Sequence, residues 1–367
     1  MRPTSRARRS SAHDGPIDLR SDTVTQPTKQ MRAAMAAAEV GDDVLDRDPT
    51  MRELELRVAG LLGATDALWT PSGSMGNLIA LMHHLGRGDA FLAPAGAHVL
   101  DNELGTAAWL AGGMPRPLEH DAGAGKVSPS AVRRAAGGES PYHALRTTLL
   151  CLENTHNAAG GAVTAPDEHA AVVAAARGAK LKVHLDGARL WHASVALGVP
   201  PAALTVGVDT VQVCLSKGLG APVGSVVAGS AEFVADARRL RKMLGGGVRQ
   251  GGVLAAAGLV ALDRIDRLAE DHDRAHTLAE GLRDRGWQAG VPQTNIVLVE
   301  VADLTGTVAR FEAAGVRAVP MAGKVRLMTH ADISDADIAT ALRRIGPIDG
   351  ATAGNGGRRS PVRPGRR

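Results

Sequence analysis

The chain has 367 residues, 44% of them hydrophobic, which suffices for a large buried core and for two or three folding units. Its net charge of +4 comes from the ends: residues 1–15 hold four Arg and one Asp, residues 351–367 five Arg and no acid, and the body between is mildly acidic. An acidic body with 2% aromatic residues argues against a nucleic-acid enzyme, and no apolar run approaches the ~20 residues that span a bilayer.

The first residues, Met1 to Pro16, are rich in Arg and Ser and lack the apolar stretch of a secretory signal. They read as a disordered tail over 1–15, as does the Gly/Arg/Pro segment 351–367, whose composition cannot build a core. Nucleic-acid binding through these Arg tails is a distant alternative to an enzymatic role.

From residue 66 onward, strand-like and helix-like patterns alternate. Asp66–Thr70 is a short apolar run that ends in Pro71-Ser72-Gly73-Ser74 and passes into a helical pattern, Met75–Leu85. Thr148–Glu153 is continuously apolar, as a strand covered on both faces is. A helix over Asp167–Arg177 follows, then strands at Leu181–Leu185, Thr210–Leu215 and Ser225–Ala228, and a helix over Ala231–Leu244 with a basic outer face. This alternation predicts an α/β fold with a mostly parallel sheet between helices. Two helices, Val253–Ile265 and Arg267–Arg285, lead to strand, helix, strand, helix at Asn295–Val301, Thr305–Ala314, Val325–Thr329 and Asp335–Ile345. The expected division is a large unit over 28–255 and a small unit made of 16–27 with 256–350. Cys151 and Cys214 fall in apolar runs and read as buried hydrophobes; there is no metal-type Cys/His spacing. That usage fits a reducing compartment, most simply the cytoplasm.

In open α/β sheets, ligands lie beyond the carboxyl ends of the strands. Polar groups gather at those ends: Ser72-Gly73-Ser74, then Glu153-Asn154-Thr155-His156-Asn157, then Asp186-Gly187-Ala188-Arg189, then Ser216-Lys217-Gly218. A lysine after a buried strand loses its proton readily and attacks carbonyl groups, although a strand-end lysine can also snorkel to water. An aspartate at a neighbouring strand end supplies the second part of pyridoxal phosphate (PLP) chemistry, a carboxylate for the pyridine nitrogen; alone it would read as a cap. Gly73 and Ser74 open a helix whose free N–H groups suit a phosphate. Arg249 adds a candidate cation for that phosphate, with Lys242 a weaker one.

These motifs resemble the L-threonine aldolases of the low-specificity type, fold-type I PLP enzymes of the aromatic amino acid β-eliminating lyase/threonine aldolase superfamily. The matching stretches include IDLRSDTVTQPT at 17–28, EVGDDV at 39–44, PSGSMGN at 71–77, ENTHN at 153–157, HLDGARL at 184–190, LSKGLGAPVGSV at 215–226, RKMLGGGVRQ at 241–250 and VRLMTH at 325–330. The resemblance implies roles. Lys217 forms the Schiff base with PLP, Asp186 pairs with its ring nitrogen, and Gly73, Ser74 and Arg249 take its phosphate. His98 stacks on the ring. Arg189, Arg326 and Ser21 hold the substrate carboxylate, and His156 faces the substrate hydroxyl as the favoured base, with His98 as the other candidate. It implies cleavage of L-threonine or a related β-hydroxy-α-amino acid to glycine and an aldehyde, in a homotetramer with sites at subunit interfaces and no membrane or nucleic-acid partner. β-Elimination or transamination on the same scaffold is the alternative, since fold does not fix reaction. The chain departs from the family at two segments, and one is Leu100-Asp101-Asn102-Glu103 after His98, which lacks the aromatic residue usually found there. The family usually reads Val-Tyr-Gly-Glu-Asp-Pro-Thr where this chain has Val44-Leu45-Asp46-Arg47-Asp48-Pro49-Thr50, which implies a less aromatic wall on the aldehyde side.

Overall fold

The computed structural model of the chain describes residues 15–137 and 141–348. The two expected tails lie, apart from Gly15, outside the described residues. In chain order the strands are β1 (Ile17–Asp18), β2 (Asp66–Thr70), β3 (Ala90–Pro94), β4 (Met114–Leu118), β5 (Thr147–Glu153), β6 (Lys182–Gly187), β7 (Thr210–Cys214), β8 (Ser225–Gly229), β9 (Gln288–Ala289), β10 (Ile296–Glu300), β11 (Val316–Arg317), β12 (Val319–Met321) and β13 (Lys324–Met328). The helices are α1 (Lys29–Ala36), α2 (Pro49–Leu62), α3 (Gly73–His84), α4 (His98–Asp101), α5 (Thr106–Trp109), α6 (Pro129–Ala136), α7 (Pro166–Gly178), α8 (Leu190–Leu197), α9 (Ala231–Met243), α10 (Gly252–Leu262), α11 (Leu268–Arg283), α12 (Leu304–Ala313) and α13 (Asp335–Ile345).

Seven strands form the central sheet in the order β2-β8-β7-β6-β5-β3-β4. The pairings from β7 across to β4 are parallel, and β8 runs antiparallel to both β7 and β2. The fold class is therefore the expected one, with a local reversal at β8. Helices cover both faces, so β3 and β7 are buried at every position, as strands between two helical layers must be. Strand β4 is not legible in the sequence. Its Pro115 and Pro117 cannot donate to a ladder, and the strand occupies the outer edge of the sheet, where that loss is harmless.

A second sheet, β12-β13-β10-β9, is antiparallel throughout. β1 pairs with β11 in parallel, which brings residues 17 and 18 onto this unit. Its core of Leu19, Leu278, Phe311, Val325, Ile338 and their neighbours is a cluster separate from the core around Trp69, Leu185, Trp191 and Val213 under the large sheet.

Several motif residues serve this architecture. Asp48 caps α2, accepting from Met51 N at 2.9 Å, and its other oxygen takes Gly252 N at 2.9 Å. Pro49 occupies the first turn of α2, where its missing N–H costs nothing. Arg241 is buried, donating to Trp69 O at 2.8 Å and to Asp43 Oδ2. The GDDV and RKML stretches are thus tied together by a buried ion pair. Both cysteines are buried and free.

Candidate active site

A cavity of about 390 Å³ opens at the carboxyl ends of β6 and β7, bounded by Gly73, Ser74, Asp186, Lys217, His98 and Glu103, with Thr23, Asn77 and Gln212 among its other walls. Strand and helix geometry put them there. Asp186 stands at the end of β6 and Lys217 follows β7, its parallel neighbour, and α3 begins directly after β2. Ser72 caps α3, its Oγ accepting from Met75 N at 3.2 Å. This leaves N–H groups of the first turn facing the cavity with the positive end of the helix dipole.

The opposite pole is negative. Asp186 Oδ2 accepts from Asn77 Nδ2 at 2.7 Å, and Asp186 Oδ1 accepts from Ala188 N at 3.0 Å. Asn77 Nδ2 also donates to Glu103 Oε1 at 2.8 Å, so one amide bridges two buried carboxyl groups. His98 Nδ1 bonds Glu103 Oε1 at 2.8 Å. That hydrogen bond to Glu103 outweighs burial and raises the His98 imidazole above its ordinary value, with Asp186 adding to the effect. The second oxygen of Glu103, Oε2, is buried without a partner. Below this group, Glu153 accepts from His98 N at 2.6 Å and from Asn157 N at 2.7 Å. Burial, and then the neighbouring Asp186 charge, push the Glu153 carboxyl up to about 7.

Next to the cavity lies a paired-arginine cluster. Arg189 binds Asp22 through Nε at 2.8 Å and Nη2 at 2.7 Å, with both groups buried. Burial opposes the charge on Asp22, but the Arg189 guanidinium prevails and holds that carboxyl far below the usual range. Arg189 and Arg326 both donate to Asn157 Oδ1, at 3.2 and 3.1 Å, and Arg326 also donates to Arg20 O at 2.9 Å. Burial and the facing Arg189 lower the Arg326 guanidinium to about 10, and its Nε has no partner. Ser21 lies between Arg20 and Asp22, on the segment that touches both arginines; its own Oγ caps a short turn at Thr23. Two guanidiniums against one carboxylate leave one positive charge unmatched, which a single anionic group would satisfy.

Two predicted residues lie away from the cavity. Arg249 is paired with Asp42 at 3.1 Å, with 52% of its side chain exposed, because the loop before α10 turns it outward to that carboxylate. His156 is 1% exposed; its Nδ1 accepts from Ala159 N at 3.3 Å, and its Nε2 is buried without a partner. Burial, with His120 edge-on at 5.1 Å, depresses this imidazole to about 4. Lys242 also stays outside the cavity lining, on an exposed face of α9. Leu45, which stands where the family has an aromatic residue, is 82% exposed. Asp22, Asn77, Glu103 and Asn157 are site residues that sequence reasoning does not reach. Asp22, Asn77 and Asn157 sit inside quoted motifs, but the partners of all four become visible only in three dimensions.

The cavity fits pyridoxal phosphate by the chemistry of its walls. A helix N-terminus suits a phosphate dianion, two buried carboxyl groups suit a protonated ring nitrogen, and a lysine amine suits an aldehyde. Gly73 also has to be glycine-sized, since a Cβ there would lie 2.9 Å from Cys214 Sγ.

Known proteins resemble the chain in sequence and in fold. A family model described as beta-eliminating lyase matches residues 18–304. A probable low-specificity L-threonine aldolase of Arabidopsis thaliana is 43% identical over 339 residues, covering 89% of this chain and 95% of the relative. The low specificity L-threonine aldolase of Escherichia coli strain K12 is 40% identical over 328 residues, covering 88% and 96%. Among solved structures, a threonine aldolase of Leishmania major superposes with a TM-score of 0.78 at 19% identity, covering 90% of this chain and 98% of that one. A serine palmitoyltransferase of Sphingomonas wittichii gives 0.70 at 19% identity, covering 90% and 86%. At such identities these two report the fold.

Proposed function

The chain belongs to the beta-eliminating lyase family, and from that premise we propose that it is a PLP-dependent aldehyde-lyase. It would cleave L-threonine, L-allo-threonine or a related β-hydroxy-α-amino acid to glycine and an aldehyde. The observation that carries the proposal is the shared cavity of Lys217, Asp186 and the first turn of α3, flanked by two arginines with one unmatched charge.

PLP, when bound, supplies an electron sink for the pair released as the Cα–Cβ bond breaks. The protein does the rest. Lys217 holds the cofactor aldehyde through its amine, Asp186 keeps the ring nitrogen protonated, and Gly73 with Ser74 hold the phosphate. Arg189 and Arg326 grip the α-carboxylate; a carboxylate held by two guanidiniums cannot rotate freely, so the scissile bond keeps one orientation. Asp22 and Asn157 fix the arginines in turn. The departing aldehyde requires the β-hydroxyl proton to be taken up by a base. Position favours His98 over His156 for that task. His98 lines the cavity, its Nδ1 is engaged by Glu103, and its Nε2 is left to accept the proton. His156, held unprotonated at neutral pH by burial, lies outside the cavity lining.

The same reading assigns the large unit to 28–255 and the small unit to 16–27 with 256–350; the two cores are separate, and Ala257, Ala261, Leu262 and Leu268 pack in the large one, so the chain changes core only after residue 268. It also makes the protein a homotetramer. Leu104 and Trp109 lie just past His98 and are 98% and 80% exposed, which supports a covering subunit beside the site. A cytoplasmic role in threonine breakdown and glycine supply fits two unoxidised, buried thiols. No helix among the described residues is long and apolar enough to cross a membrane.

The deciding experiment adds L-threonine to the PLP-loaded protein and couples released acetaldehyde to NADH oxidation by alcohol dehydrogenase. NADH loss with equimolar glycine is the expected result. Ammonia and a keto acid instead would move the reaction to elimination, and a protein that takes up no PLP would sink the reading.

A further inference from the structure

Behind Asp186, a line of buried polar side chains crosses the sheet. Asn77 Oδ1 bonds His184 Nε2 at 3.0 Å, His184 Nδ1 bonds Thr210 Oγ1 at 2.9 Å, and Thr210 Oγ1 bonds His84 Nε2 at 3.0 Å. Asn77, His184 and Thr210 are each 1% exposed. The fold places them with economy. His184 and Asp186 are two apart on β6 and share a face. Thr210 stands beside His184 in the register of β7. Asn77 and His84 are seven apart on α3, so both look down on those strands.

With His184 neutral, each bond in this line has one direction. Asn77 faces two carboxyl oxygens, at 2.7 and 2.8 Å, and only its Nδ2, with two hydrogens, can meet both. Its Oδ1 must therefore accept, so His184 donates from Nε2. A neutral His184 then accepts at Nδ1, so Thr210 donates its hydroxyl hydrogen, and His84 donates to the Thr210 oxygen. Burial depresses His184 to about 4, in keeping with the neutral tautomer. All the hydrogens in the line point toward Asp186 and Glu103.

We propose that Asn77, His184 and Thr210 are positioning residues, a one-way hydrogen-bond chain that fixes the orientation and polarity of the Asp186 carboxylate toward the cofactor's ring nitrogen. The proposal rests on the reading that PLP occupies this cavity. None of the three residues touches the reacting atoms; they act through Asp186. A chain of aligned hydrogen bonds in a low-dielectric interior polarises each member, and breaking one link leaves a buried acceptor unpaired.

The test measures PLP binding to the cofactor-free protein by equilibrium dialysis, together with the melting temperature of that same form. His184→Leu removes both nitrogens and should weaken PLP binding about tenfold, the size of effect expected for one lost buried hydrogen bond. His184→Gln can donate to Asn77 through its amide and accept from Thr210 through its carbonyl, and should bind PLP as the parent does. Parent-like binding by His184→Leu overturns the proposal. So does equal weakening in the Leu and Gln variants, which would make the position a matter of shape. If His184→Leu does not fold, the isosteric Thr210→Val decides: weaker PLP binding at unchanged melting temperature supports the chain, and parent-like binding overturns it. A parent protein that binds no PLP would instead strike the functional reading on which the proposal stands.

Discussion

Asp22 closes on Arg189 through two hydrogen bonds of 2.8 and 2.7 Å, with the carboxylate wholly out of water. Removing one member of a buried pair strands the other charge and costs about 3–5 kcal/mol. Asp22→Asn should therefore lower the melting temperature sharply. In any folded fraction, KM for L-threonine should rise, because Arg189 loses its fixed geometry. An unchanged melting curve would mean that water reaches Arg189 freely.

Arg326 carries an unpartnered Nε and shares Asn157 with Arg189. Arg326→Lys keeps the charge but not the planar fork that matches a carboxylate. It should raise KM by about tenfold, equivalent to losing one charge-assisted hydrogen bond, with PLP affinity unchanged. Steady-state kinetics beside a PLP titration read both; a loss of PLP affinity would place Arg326 in the cofactor site instead.

His98 titrates above the ordinary imidazole value through its bond to Glu103. The native state thus keeps a proton that the unfolded chain has released. The stability this contributes is complete below the unfolded value of about 6.5 and is lost as pH climbs through the raised native value. If His98 takes the hydroxyl proton, kcat should rise with pH through that same raised value. Glu103→Gln should shift this acid limb downward. An acid limb near 4, the value to which His156 is depressed, would hand the proton to His156.

Gly76 lies on the inner face of α3, and a Cβ there would come 2.7 Å from Gln212 Cγ. Gly76→Ala should force Gln212 into the cavity wall it lines. Overpacking of this kind costs about 1–3 kcal/mol, against which the gain in helix propensity is smaller, about 1 kcal/mol. Thermal melts should show net destabilisation and PLP titration a weaker complex; a stabilised variant would show that α3 moves aside.

Lys217 should be the residue that holds the cofactor covalently. Borohydride reduction of the PLP-loaded protein followed by peptide mass analysis should place the added mass on the peptide containing Lys217. Lys217→Ala should take up no label.

The parts of this molecule visible in the sequence are those whose physics is local. Apolar runs closed by Gly-rich turns locate β2, β5, β6, β7 and β8, and with them the strand ends where Asp186 and Lys217 stand. β4 is hidden by its prolines, and α2 by a capping motif that reads equally well as a functional one. The site's supporting residues are hidden by distance along the chain. Asn77 meets Asp186 across 109 residues and Asp22 meets Arg189 across 167, and no spacing rule spans such intervals. The RSDT stretch points to its serine, yet its aspartate makes the stronger contact. Arg249 is named for the phosphate by its glycine-rich neighbourhood and by the resemblance, and its pairing with Asp42, 207 residues away, is visible only in three dimensions.

The reversal at β8 limits how the site breathes. Lys217 sits not on a crossover leading to a helix but on a short return between β7 and β8, two adjacent strands of the central sheet. Leu215 N bonds Gly224 O at 3.0 Å, closing that return at its base. Segments tethered in this way open only with the cooperative unit to which both ends belong. Amide hydrogen exchange at Val213, Leu215 and Val226 should then be as slow as exchange in global unfolding, so that the lysine's turn, unlike a surface loop, has no private route to disorder.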